Sequence, residues 1–85
     1  MTSVKLFANL RKIAGTKEVI LAGSNVRIII ANLVLEVPAL AGHLYEDGKI
    51  RPYIIITING HPTADLDAPV TDQDLVAIFP PITGG

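Results

Sequence analysis

The residues of this chain best placed to do chemistry stand at its end, in the run Phe79-Pro80-Pro81-Ile82-Thr83-Gly84-Gly85. Gly84 and Gly85 carry no side chains, so a narrow channel in a partner enzyme can admit their backbone and reach the terminal carboxylate. On that reading Gly85 has the chemical role and Gly84 the steric one. Pro80 and Pro81 hold the approach extended, since each fixes its own φ and pushes the preceding residue away from helix. The stretch from Pro80 to Gly85 can therefore reach up to ~20 Å from a folded body. An ordinary frayed terminus has the same composition, and the residues alone leave both readings open.

Other candidates are weaker. His43 and His61 each have an aspartate four residues on, Asp47 and Asp65, but no further ligand at a matching spacing. They read as loop histidines, and no metal site is expected. Asp65, Asp67, Asp72 and Asp74 lack both the glycine-centred ligand positions of a calcium loop and the pairing of a catalytic dyad, so they read as turn and solubilising residues.

Composition narrows the classes further. A chain of 85 residues makes one small domain with a modest core. It has no cysteine, which excludes a disulfide framework, a thiol nucleophile and cysteine-held metal or iron–sulfur sites. The net charge of -1, with lysines and arginines spread along the sequence, gives no footprint for nucleic acid. The longest uncharged apolar stretch lies between Arg27 and Glu36 and is too short to cross a bilayer. Lys5, Arg11 and Lys12 interrupt the region where a signal peptide needs an apolar segment. The expectation is a soluble cytoplasmic protein that binds neither nucleic acid nor membrane.

The elements that must position the tail follow from periodicity. Alternation over Ser3 to Ala8 predicts a strand with Val4, Leu6 and Ala8 on one face, and Lys5 and Phe7 on the other. A turn-like passage from Asn9 to Gly15 leads to a second strand over Lys17 to Leu21, with Gly15-Thr16 as the hairpin connection. Between Val26 and Val37 β-branched residues favour strand, yet Val26, Ile29, Ile30, Leu33, Val34 and Val37 form an unbroken helical stripe. A helix is predicted there, N-capped by Asn25 and stopped by Pro38, with Ile28 and Leu35 off the stripe. Gly42 to Lys49 reads as a loop. Pro52 to Ile58 reads as a strand buried on both faces and central in the sheet. Asn59-Gly60 signals a type I′ turn into a short edge strand at His61-Pro62-Thr63. Ala64 to Asp74 reads as a loop, and Leu75 to Phe79 as the closing strand. The result is an α+β fold, a mixed sheet with one helix packed across it.

That order, ending in such a tail, resembles the ubiquitin-like β-grasp sulfur carriers, specifically the molybdopterin synthase small subunits and the archaeal ubiquitin-like small modifiers. The opening Val4-Lys5-Leu6-Phe7-Ala8-Asn9-Leu10-Arg11 with Ala14-Gly15 is similar to the family's first strand, leucine-arginine pair and alanine-glycine. Asp74 to Gly85 is similar to its closing strand and double-glycine tail, and Arg51-Pro52-Tyr53 and Asn59-Gly60 sit where it has its central strand and hairpin. The resemblance implies a β-grasp domain over residues 1–79, a sheet of four to five strands, and an extended flexible tail over residues 80–85.

The resemblance also implies a mechanism. A ubiquitin-activating-type adenylating enzyme uses ATP to convert the Gly85 carboxylate into an acyl-adenylate, and a sulfur donor turns it into a thiocarboxylate. The tail then enters the large subunit of molybdopterin synthase and gives its sulfur to a pterin precursor. The chain itself binds no cofactor and is not catalytic alone. Gly84 and Gly85 form the reactive end, while Phe79, Pro80, Pro81, Phe7 and Arg11 meet the partner. Arg11 is also readable as a solvated surface charge and Phe79 as core. The same tail serves carriers for thiamine synthesis and transfer-RNA thiolation and modifiers that form isopeptide bonds, and an inert β-grasp interaction module is a further reading.

Overall fold

A computed structural model describes residues 1–80 of the chain. The first strand, β1 (Thr2–Leu6), buries Thr2, Val4 and Leu6 and leaves Lys5 exposed, as alternation requires. Alternation predicts that it runs on to Ala8. The chain instead turns at Ala8 (φ 53°) and enters α1 (Ala8–Ala14), where a turn-like passage was expected. Phe7 offers no side-chain cap, so the usual start signal is missing from the sequence. Tertiary packing holds the helix: Leu10 is fully buried, and Ile13 and Ala14 rest on the core. Gly15 ends it in the left-handed conformation (φ 73°), donating its N–H to the Arg11 carbonyl. Gly15 thus closes a helix and does not turn a hairpin, though β1 and β2 (Glu18–Leu21) do pair antiparallel.

The helical stripe outweighs β-branched propensity in α2 (Val26–Glu36). Asn25 Oδ1 accepts the Ile28 N–H at 2.9 Å, and the Val26 and Arg27 N–H groups donate to the Ala68 and Leu66 carbonyls at 3.2 and 2.8 Å. The first turn's free donors are thereby satisfied, one by a side chain and two by the loop beneath them. Val26, Ile29, Ile30 and Leu33 are buried, Val34 and Val37 are half-buried, and Ile28 and Leu35 are exposed.

The segment expected to be a loop around Gly42 to Lys49 is ordered. Pro38 opens a 3-10 turn (Pro38–Leu40) that continues into α3 (Ala41–Leu44), then a two-stranded hairpin of β3 (Tyr45–Glu46) and β4 (Lys49–Ile50). Its turn is Asp47-Gly48, with φ of 54° and 77°. Asp-Gly is as strong a turn signal as Asn-Gly, but strands of this length give no alternation to read.

Strand β5 (Ile55–Ile58) starts later than Pro52, because residues 52 and 53 lie in a turn closed by the Ile54 N–H on the Arg51 carbonyl at 3.2 Å. Asn59 and Gly60 take φ of 52° and 84° and return the chain as edge strand β6 (His61–Thr63), where Pro62 needs no donor. The closing strand is β7 (Leu75–Phe79). The five-stranded sheet has the order β2-β1-β7-β5-β6, with β1 and β7 parallel and the other neighbours antiparallel. The centre is therefore β7 and not β5, and β5 is not buried on both faces, since Ile55 is exposed.

Val4, Leu6, Ile56, Val76 and Ile78 line the inner face and join the buried stripe of α2 in one core. The expected α+β fold, a mixed five-stranded β-grasp sheet with a helix across it, is the observed one, with two short helices added. No single helix among the described residues is long and apolar enough to cross a membrane.

Candidate functional site: the open sheet face at the base of the tail

Parallel pairing of β1 with β7 decides where the tail leaves the body. Leu6 is opposite Ile78, so the residues that follow, Phe7 and Phe79, emerge side by side at the same end of the sheet. Their rings stack with centroids 4.4 Å apart and planes 14° from parallel. Both are half-buried, so Phe79 is neither wholly core nor wholly surface. Ile55, 47% exposed, is directly opposite Phe79 on β5 and shares its face. By the same register Ala77, Thr57 and Pro62 continue that face across the sheet, and Leu75 and Ile20 extend it toward the far end. None of the described helices covers this side as α2 covers the other; Phe79, Ile55, Leu75 and Ile20 leave apolar surface open along it, while Ala77 and Thr57 are buried and Lys5 and Glu18 add charge to the same face.

Charge gathers beside that surface. Lys5, Arg11 and Lys17 line one hollow of about 240 Å³ with Phe7 and Glu18. Lys12 follows Arg11 in α1, so four of the chain's seven lysines and arginines come from the segments around this hollow. These cations are spread along the sequence and carry no cluster there. Antiparallel β1–β2 pairing sets Lys5 opposite Glu18 and next to Lys17, and α1 brings Arg11 back over them. Arg11, expected as a lone contact, belongs to a basic group. Lys5, Ile55 and Leu75 escape a sequence reading, because only strand register shows that they share a face with Phe79, and Lys17 escapes it because it meets Lys5 and Arg11 only at the folded hollow.

The far end of β7 is pinned. Asn59 donates its side-chain N–H to Asp74 Oδ1 at 2.8 Å, accepts the Leu75 N–H on its own Oδ1 at 2.9 Å, and donates its backbone N–H to the Leu75 carbonyl at 2.8 Å. Asp74 Oδ2 accepts the Thr71 N–H at 2.8 Å, and these bonds, the Thr71 one foremost, hold its carboxyl below the usual carboxylate range. The Asn-Gly turn thus does more than reverse the chain: it fixes the start of the strand that carries the tail. Pro80 is half-buried just past the C-terminal end of β7, while Pro81, Gly84 and Gly85, the rest of the expected reactive arm, lie outside the described residues.

The chain has counterparts in known proteins over nearly its whole length. The family model described as the ThiS family matches residues 4–85. Small archaeal modifier protein 3 of Haloferax volcanii is 33% identical over 88 residues, covering 96% of this chain and 96% of that protein. The molybdopterin synthase sulfur carrier subunit of Arabidopsis thaliana is 33% identical over 85 residues, covering 96% of this chain and 80% of that protein. The solution structure of small archaeal modifier protein 1 from Methanosarcina acetivorans matches with a TM-score of 0.90 at 36% identity, covering 99% of this chain and 95% of that one. The chain therefore belongs to the ThiS family, among the ubiquitin-like β-grasp sulfur carriers and small modifiers.

Proposed function

We propose that this chain is the sulfur-carrier subunit of a molybdopterin synthase, and that Gly85 is the atom-transfer site. The observation that supports it is the course of β7, which runs through the middle of the sheet and delivers Phe79-Pro80 to the end of the sheet beside the Phe7 ring. A carboxylate is a poor electrophile. An adenylating enzyme would join the Gly85 carboxylate to the AMP portion of ATP, releasing pyrophosphate, and a sulfur donor would displace AMP to leave a thiocarboxylate. The chain contributes reach and an accessible end, the partners contribute catalysis, and no cofactor is held by the chain itself. The open face with Phe7, Phe79 and Ile55 would dock on the adenylating enzyme and then on the large subunit, in the cytoplasm.

A second reading is favoured by the similarity to two small archaeal modifiers. In it a lysine amine of a target protein attacks the adenylated Gly85 carbonyl, AMP leaves, and an isopeptide bond forms. Both readings share adenylation and part afterwards.

Incubation with ATP, the cognate adenylating enzyme and a sulfur donor should replace one carboxylate oxygen of Gly85 by sulfur, read in the intact mass and localised to the C-terminal peptide. Appending one alanine after Gly85 should abolish this with the fold intact. Equal activation of the extended chain overturns the assignment. Conjugates that survive denaturation and map to lysines favour the second reading.

A further inference from the structure

Pro80 lines a hollow of about 250 Å³ walled by α1 and α3, together with Asn9, Gly42, His43 and Arg51. Among the described residues its lining side chains include an amide, an imidazole and a guanidinium, and no carboxylate. Arg51 is held in place at one nitrogen, which donates to the Gly42 carbonyl at 3.0 Å. Its Nε is buried and has no hydrogen-bond partner among the described residues. The nearest acid, Glu46, approaches only to 4.0 Å and does not line the hollow. The Arg51 side chain is nonetheless 35% exposed, and an exposed guanidinium beside an amide and an imidazole matches a carboxylate in both charge and shape.

The position says whose carboxylate. Pro80 joins this hollow to the Phe7–Phe79 pair, so a protein that grips the arm beyond Pro80 must lay its surface over both. We propose that the hollow is a second docking point, in which Arg51, with His43 and Asn9, receives an aspartate or glutamate side chain of the adenylating enzyme. The inference rests on the sulfur-carrier reading and deepens it. An apolar contact at Phe79 alone leaves the body free to rotate about the arm. A directional charged contact beside Pro80 removes that freedom and sets the line along which the arm is threaded.

The test has two arms. In the first, the ¹⁵N-labelled full chain is titrated with sodium acetate in place of chloride at constant ionic strength, with inorganic phosphate in parallel. The Arg51 Nε–H signal should shift saturably with acetate, and the shift should vanish in Arg51→Gln. In the second, Arg51→Gln should bind the cognate adenylating enzyme about tenfold more weakly or worse, and Asn9→Ala, which leaves the Arg51–Gly42 bond in place, should weaken binding by a smaller factor. Backbone amide spectra confirm that each variant folds; if Arg51→Gln does not, Asn9→Ala and His43→Ala decide the matter. An acetate titration without saturation, saturation by phosphate alone, or unchanged enzyme affinity in folded variants each overturns the proposal. Sulfur incorporation at Gly85 is scored separately in the native chain, so failure of the sulfur-carrier reading shows there while the acetate arm stays readable.

Discussion

Phe7 and Phe79 are seventy-two positions apart in sequence and stacked at 4.4 Å in the fold, one leaving β1 and the other closing β7. The parallel pairing of two strands from opposite ends of the chain makes the contact. Because both rings are half-buried, they form a surface anchor more than a core pair. Phe79→Ala should leave the chain folded and weaken binding to the adenylating enzyme or the large subunit by about tenfold, the scale of an aromatic anchor in an interface. A calorimetric titration with either partner checks this, and native affinity removes the pair from the interface.

The helical stripe is tested by Leu33, which is fully buried in the middle of α2. Leu33→Ala should lower the unfolding free energy by about 2 to 5 kcal/mol, through lost burial and the cavity left behind. Urea unfolding gives the value. A change well under 1 kcal/mol would contradict the packing of α2 on the sheet.

Gly23 marks a close approach between the end of β2 and the first turn of α2. A Cβ built there would lie 2.9 Å from two side-chain carbons of Ile29 and 3.0 Å from its backbone nitrogen, at φ 158°. The side chain can yield but the helix backbone cannot. Gly23→Ala should therefore destabilise by about 1 to 3 kcal/mol, the usual scale of overpacking. An unchanged melting temperature would show that α2 can slide away from residue 23.

Asp74 links stability to pH. Its carboxyl is held below the ordinary aspartate range, first by the Thr71 backbone N–H and then by the Asn59 side chain. A depressed folded-state pKa means that the unfolded chain binds the proton more readily. The contribution is thus fully present above the unfolded value of about 4 and is lost as pH falls through the lower folded value. Native and Asp74→Asn chains should differ most in stability near neutral pH and converge on acidification. Parallel curves from pH 7 to pH 2 would show that Asp74 carries no such linkage.

The sequence by itself determined those features whose physical cause is local. The stripe from Val26 to Val37 made α2 legible against its β-branched propensity, because burial of one face outweighs the small intrinsic preference of each residue. Asn25, Asn59-Gly60 and the apolar run from Leu75 to Phe79 worked in the same way, and so did the tail composition that pointed to the family. Other features had no local signal strong enough to read. Helix α1 lacks a side-chain cap and is held by Leu10 in the core, and the β3–β4 hairpin is too short to alternate. The place of β7 at the centre, with β5 beside it, depends on strand order, which periodicity cannot supply. Phe7, Phe79, Pro80 and Arg11 were named through the resemblance, but tertiary structure alone assembled them into one site. Bringing Phe7 to Phe79, Lys5 and Lys17 to Arg11, and Arg51 to Pro80 requires pairings between distant segments, and register across a sheet exists only once those segments meet.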